Sequence, residues 1–195
     1  MPCSSRPSPQ AFALLGLSPL RPSALNFIPI CWTPPPIPWI KCNTNGSFRS
    51  PNTGGFGDIF RDSESNFMGA FAFNVEVPSA IDAEILAIME AIRVALVKRW
   101  THVWIETDST LVIKYFNSPS LIPWRLKIAW LNSIHLAHQI NIRISHIFRE
   151  GNAIADKLAN YGAMNEGSIW WRMLPGFLRP SFGNDLESRT SYRVR

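Results

Sequence analysis

The sequence predicts a mixed α/β domain, an α+β arrangement in which three antiparallel strands precede helix-linked strands. Three observations predict it. Segments of strand character follow one another between residues 39 and 75 with no room for a crossover helix. Apolar residues change to helical spacing after residue 78. Strand-like and helix-like segments then alternate from residue 102, the pattern of crossovers that cover a sheet. The expected order is βββαβααβα, a five-stranded mixed sheet with helices on its faces.

Trp39–Thr44 alternates loosely and reads as the first strand. Gly54, Gly55 and Gly57 lead into Ile59–Asp62, the second, and Asn66–Val75 is the third. Pro78-Ser79 opens a helix that runs through Lys98. Ser79 is a natural N-cap, and Asp82 falls in the first turn, where the helix dipole favours an acid. Ile81, Ile85, Ile88, Ile92, Ala95 and Leu96 form its buried stripe. His102–Thr107 reads as the fourth strand, and Asp108-Ser109-Thr110 starts a helix to Asn117. Pro119 and Pro123 mark a connection to a helix over Trp124–Gln139. Ile140, Ile142, Ile144 and His146 alternate with polar residues in the fifth strand. Gly151-Asn152 opens a last helix through Ala163.

Ten of the 16 prolines lie in the first 38 residues, where they exclude a regular helix or central strand. Residues 1–37 are therefore expected to be a disordered Pro-rich arm, residues 38–163 the domain, and residues 164–195 a basic, aromatic tail. The acid-poor arm is either a simple leader or an organelle transit peptide, so the compartment stays open between nucleus, cytoplasm and organelle. Cys3, Cys31 and Cys42 form no CxxC pair, which argues against a disulfide scaffold or thiolate zinc site and fits a reducing, intracellular compartment. No run approaches 18 apolar residues, so no membrane span is expected. The net charge of +5 divides into +2, +1 and +2 over the three regions, so any binding by the domain depends on where its charges lie rather than on their sum. A monomer is expected.

Asn45 follows the first strand, Glu84 lies in the first helix, Asp108 ends the fourth strand, and Asp156 sits early in the last helix. This topology lets the four converge. Hard oxygen ligands at such positions suit divalent-metal phosphodiester chemistry, in which two metals about 4 Å apart activate water and stabilise the leaving oxygen. Each of the three acids also has a structural explanation. Asp108 suits a helix cap, Asp156 suits a helix dipole, and Glu84 suits a solvated helix position. Spacing alone leaves both readings open. His135 and His138 read as a helix face, and Trp124, Arg125, Lys127 and Trp130 as a basic-aromatic cluster whose tryptophans pack in the core.

Four segments narrow the choice: Trp39-Ile-Lys-Cys-Asn-Thr-Asn-Gly-Ser47, Ala83-Glu-Ile-Leu-Ala-Ile88, Glu106-Thr-Asp-Ser-Thr-Leu-Val112, and the run from Ser145 to Ala159 containing His146, Asn152 and Asp156. In this order they resemble the type-1 ribonuclease H domain. More narrowly, they resemble the plant ribonuclease H-like proteins related to non-LTR retrotransposon polyproteins. The resemblance implies the ribonuclease H-like fold and Mg²⁺- or Mn²⁺-dependent hydrolysis of the RNA strand of an RNA/DNA hybrid. It implies Glu84, Asp108 and Asp156 as metal-binding and catalytic acids, with His146 assisting proton transfer or product release. It also places Asn43, Gly46, Ser47 and Asn152 near nucleic acid, an RNA/DNA hybrid or double-stranded RNA.

The family expects Asp at position 45, and this chain has Asn45. A carboxamide keeps one carbonyl oxygen but loses the charge and the second anionic oxygen. The expected activity is therefore a weakened endonuclease. The alternatives are a non-catalytic nucleic-acid-binding module and a decayed retrotransposon fragment.

Overall fold

The computed structural model describes residues 27–49 and 51–194. The expectation for residues 1–26 lies outside them. Strands β1 (Phe27–Ile30), β2 (Ile40–Arg49), β3 (Thr53–Arg61) and β4 (Phe67–Glu76) are followed by helix α1 (Ala80–Val97) and strand β5 (His102–Thr107). Helices α2 (Thr110–Asn117) and α3 (Lys127–Ala137) lead to strand β6 (Asn141–His146). Helix α4 (Ala153–Met164), strand β7 (Ser168–Trp171), helix α5 (Arg179–Leu186) and strand β8 (Ser191–Val194) complete the described chain.

The main sheet has six strands in the order β6-β5-β2-β3-β4-β7. The β2–β3–β4–β7 side is antiparallel, and β2, β5 and β6 run parallel. Mixed α/β architecture is thus as expected, with one strand more than the five expected. The extra strand, β7, comes from the segment read as a tail. Its residues Ser168-Ile-Trp-Trp171 pair with Ala70–Phe73 of β4 and cover what would otherwise be an exposed sheet edge. A second, two-stranded sheet joins β1 to β8, so the segment from Phe27 onward is not an unstructured arm.

One apolar core lies beneath α1, α2 and α3. Ile85, Ile88 and Ile92 of α1 pack there with Val112 and the fully buried Trp130. A second core on the opposite face joins Ile59 and Ala70 to Ile154, Leu158, Leu178 and Phe182. The expected stripe on α1 is therefore in place, while the expected pair of core tryptophans divides. Trp130 is buried, but Trp124 is 85% exposed in a 3₁₀ turn that precedes α3.

The glycines of β3 lie inside the strand, not before it. A Cβ at Gly55 would stand 2.1 Å from the Ala163 backbone nitrogen, so only glycine lets α4 lie this close to the sheet.

A buried polar knot ties both ends of the described chain to the sheet. Arg61 donates to Asn43 Oδ1 at 2.7 Å and to Asp185 Oδ2 at 2.6 Å, and its guanidinium lies 3.5 Å from the Trp32 ring centroid. Trp32 Nε1 donates to the same Asn43 oxygen at 2.9 Å. Lys41 Nζ donates to Glu106 Oε1 at 2.9 Å and to the Thr33 carbonyl at 2.7 Å. Each buried charge here has partners, which makes its burial tolerable.

Candidate functional site

Parallel pairing between β2 and β5 stops at Thr44–Thr107, while β2 runs on to Arg49 beside β3. The next residues, Asn45 within β2 and Asp108 just beyond β5, therefore lie side by side at the carboxyl end of β5. Open α/β sheets place ligands at this edge. His146 pairs with Thr107 on the far side of β5 and ends β6. Glu84 comes from the first turns of α1, directly over β2. A Cβ at Gly46 would stand 2.4 Å from the Glu84 backbone nitrogen, so glycine at 46 sets how closely Glu84 approaches the strand. Asp156 comes from the first turn of α4.

Asp156 is held on every side. Its Oδ1 accepts from Asn45 Nδ2 at 3.2 Å and from the Arg149 guanidinium at 2.8 Å. Its Oδ2 accepts from Asn160 Nδ2 at 3.1 Å, and Asn160 Oδ1 in turn accepts from the Ser47 hydroxyl at 2.9 Å. Glu84 and Asp108 differ in this respect. Glu84 Oε2 and Asp108 Oδ1 are out of solvent with no hydrogen-bond partner among the described residues.

Burial raises the Glu84 carboxyl to about 8, and the neighbouring Asp108 adds to the rise. The Gly46 backbone N–H and Arg149 oppose it, and Asp156 reinforces it. Asp108 is raised by burial too, opposed by its own backbone N–H, Arg149 and Asn152. The three acids therefore share one electrostatic environment.

Two unpaired carboxylate oxygens facing a third carboxylate are the donor chemistry a hard divalent cation takes. Among the described residues, however, no three His, Cys, Asp or Glu side chains stand at metal-holding spacing. Asn45 is a carboxamide, and Arg149 already neutralises Asp156.

The other expected residues are placed differently. Asn43 is 1% exposed and belongs to the Trp32–Arg61 knot, so it turns inward rather than toward a ligand. Asn152 is equally buried. It donates to the Thr44 carbonyl at 2.9 Å, pinning α4 to the middle of β2, and makes no side-chain helix cap. Gly46 and Ser47 are half-buried beside the acids. His146 is exposed and meets Phe148 edge to face at 5.3 Å.

Two residues that sequence reasoning passed over shape the site. Asn160 lies one helical turn beyond Asp156, a spacing that was available as a signal. Arg149 lies inside the Ser145–Ala159 segment, but nothing in its sequence position shows that its side chain folds back seven residues to Asp156.

Comparison with known proteins agrees with this fold. The family described as "Reverse transcriptase-like" matches residues 43–162. An Arabidopsis thaliana protein named as a ribonuclease H protein is 31% identical over 139 residues, which are 68% of this chain and 22% of that protein. The chain thus spans about a fifth of that relative's length. Among solved structures, the N-terminal ribonuclease H domain of rv2228c from Mycobacterium tuberculosis superposes with a TM-score of 0.60 at 19% identity, over 65% of this chain and 94% of that one. LC11-RNase H1, isolated from compost and solved with an RNA/DNA hybrid, gives 0.56 at 22% identity, over 64% and 96%. At these identities the structural likeness speaks for the fold.

Proposed function

The chain belongs to the reverse transcriptase-like family of plant-type ribonuclease H-like domains, and from that premise we propose that it binds an RNA/DNA hybrid across Glu84, Asp108 and Asp156 and cleaves the RNA strand only weakly. One observation carries the qualification. The fourth place in the acid cluster holds Asn45, whose Nδ2 donates to Asp156 where a carboxylate would have repelled it.

Mg²⁺ or Mn²⁺ would be held by Glu84, Asp108 and Asp156, which would have to draw closer together than they stand in the cation-free fold. When bound, the cation supplies an activated water and stabilises the leaving oxygen. The chain's own residues set how well it can be taken up. Asp108 and Glu84 offer their unpaired oxygens, while Glu84 must first lose the proton that burial favours. Asn160 and Ser47 fix the Asp156 carboxylate in place. His146 is exposed and pairs with Thr107, the residue before Asp108, where an imidazole can relay a proton between the site and solvent.

The test is cleavage of a labelled RNA/DNA hybrid with Mg²⁺ and with Mn²⁺ by the unaltered chain and by Asn45→Asp. Disturbing outer-shell metal partners costs about 10–100-fold, so restoring a first-shell charge is expected to raise cleavage at least about tenfold. Cleavage by the unaltered chain that the substitution does not improve sinks the reading. A second reading, a binding module without catalysis, is favoured by the Arg149–Asp156 pair. Its signature is hybrid binding with no cleavage by either protein.

A further inference from the structure

The loop between β6 and α4 carries a second departure from a bare acid cluster. Arg149–Gly151 is a single 3₁₀ turn, and the two-stranded β1–β8 sheet braces it from outside. Arg193 of β8 reaches Glu150 Oε2 at 3.5 Å, and its guanidinium lies 5.0 Å from the Phe148 ring centroid. A Cβ at Gly151 would stand 3.1 Å from Ile30 Cγ2 of β1. Arg149 therefore projects from a backed turn. One nitrogen donates to Asp156 Oδ1 at 2.8 Å, while the side chain is 71% exposed. The guanidinium borders an open depression of about 260 Å³ lined by Arg149, Glu150, Ala153, Asp156 and Lys157.

Four bare carboxylates at the end of a sheet would repel a nucleic-acid phosphate until cations bound. Here one position is the neutral Asn45, and a second, Asp156, is already paired with a cation of the chain itself. Arginine's planar fork carries five N–H donors and suits both carboxylate and phosphate oxygens, so one edge can hold Asp156 while another meets a ligand. Lys157 adds positive charge to the same depression, with its Nζ anchored on Ser181 Oγ at 2.6 Å.

We propose that Arg149 gives this site a phosphate contact that needs no divalent cation. One edge of the guanidinium neutralises Asp156, and the other takes a phosphate oxygen of a strand laid over the carboxyl end of β5 and the adjoining middle of β2. The proposal rests on the reading that the chain binds nucleic acid at this site.

The test is fluorescence anisotropy of a labelled RNA/DNA hybrid with the full chain in EDTA, at several salt concentrations, repeated with Mg²⁺. Unaltered protein, Arg149→Gln and Arg149→Lys are compared, with unfolding midpoints as the folding control. The unaltered chain is expected to bind in EDTA. Arg149→Gln is expected to bind roughly fivefold more weakly or worse, and to flatten the slope of log K against log salt by about 0.9, the loss of one phosphate contact. Arg149→Lys is expected to keep the slope and lose only part of the affinity.

Equal affinity and slope for Arg149→Gln and the unaltered chain would overturn the proposal. So would binding by the unaltered chain with Mg²⁺ alone. Absence of binding in both conditions would instead overturn the nucleic-acid reading beneath it, and the cleavage test above is independent of either result.

Discussion

Asn45 and Asp156 lie 111 residues apart in sequence and are joined by a hydrogen bond of 3.2 Å, with the carboxamide donating. A carboxylate at position 45 would meet Asp156 as a like charge. The substitution that makes the site poorer for a cation therefore makes the cation-free fold more comfortable.

Asn45→Asp is expected to lower stability in EDTA by about 1–3 kcal/mol, the usual cost of an unmet buried polar contact. Millimolar Mg²⁺ should recover more of that loss than it adds to the unaltered chain. Urea unfolding with and without Mg²⁺ measures both. A variant as stable as the unaltered chain in EDTA would show that the Asn45–Asp156 bond carries no weight.

Glu84 gives the pH dependence its sign. Its carboxyl is raised from 4.5 to about 8 in the folded chain, so the folded state holds the proton more tightly than the unfolded state across that window. Stability measured in EDTA should fall as pH rises from about 4.5 to 8. Asp58, wholly buried and raised in the same direction by burial, contributes with the same sign. Glu84→Gln should flatten the profile without abolishing the slope. An unchanged profile would place Glu84 in solvent.

Gly46→Ala tests how α1 sits on β2. The new Cβ would stand 2.4 Å from the Glu84 nitrogen and 2.7 Å from the Ala83 carbonyl carbon, both rigid backbone. The helix must shift, at a cost of about 1–3 kcal/mol for overpacking. Because Glu84 moves with it, hybrid cleavage or binding should fall as well. Unchanged unfolding midpoint and unchanged binding would contradict the packing described.

Asp185→Ala tests whether the C-terminal segment belongs to the domain. It strands Arg61, whose side chain is 2% exposed, without its carboxylate. Leaving one partner of a buried pair uncompensated costs about 3 kcal/mol or more. Because Trp32 covers the same guanidinium, Trp32→Ala and Asp185→Ala should be non-additive in a double-mutant cycle. Losses that simply add, or a loss within experimental error for Asp185→Ala, would mean that the terminal segments sit on the domain without supporting it.

Element type was legible wherever a period or a breaker acted locally. The α1 stripe follows from isoleucines at helical spacing, and the β6 alternation follows from Ile142 and Ile144. The edge strand β7 was not legible, because Ser168-Ile-Trp-Trp171 is too short to carry a period and becomes a strand only by pairing with β4. Of the site, Glu84, Asp108 and Asp156 were legible as residue types in a known order. For Asn43 and Asn152 the sequence leaves the role open, because a polar residue next to a site motif looks the same whether it serves a ligand or the fold. In the folded chain Asn43 is buried against Arg61 and Asn152 against the Thr44 carbonyl.

By itself, then, the sequence determined the α/β order and which residue types stand at positions 45, 84, 108 and 156, since each is a property of local period or residue identity. The tertiary structure decided the rest. It folded both ends of the described chain onto the sheet through Arg61, left one oxygen of each of two acids without a partner among the described residues, and set Arg149 and Asn45 on the third. These are contacts between residues far apart in the chain, and no local pattern encodes them, because their free energy exists only once the sheet has brought the partners together.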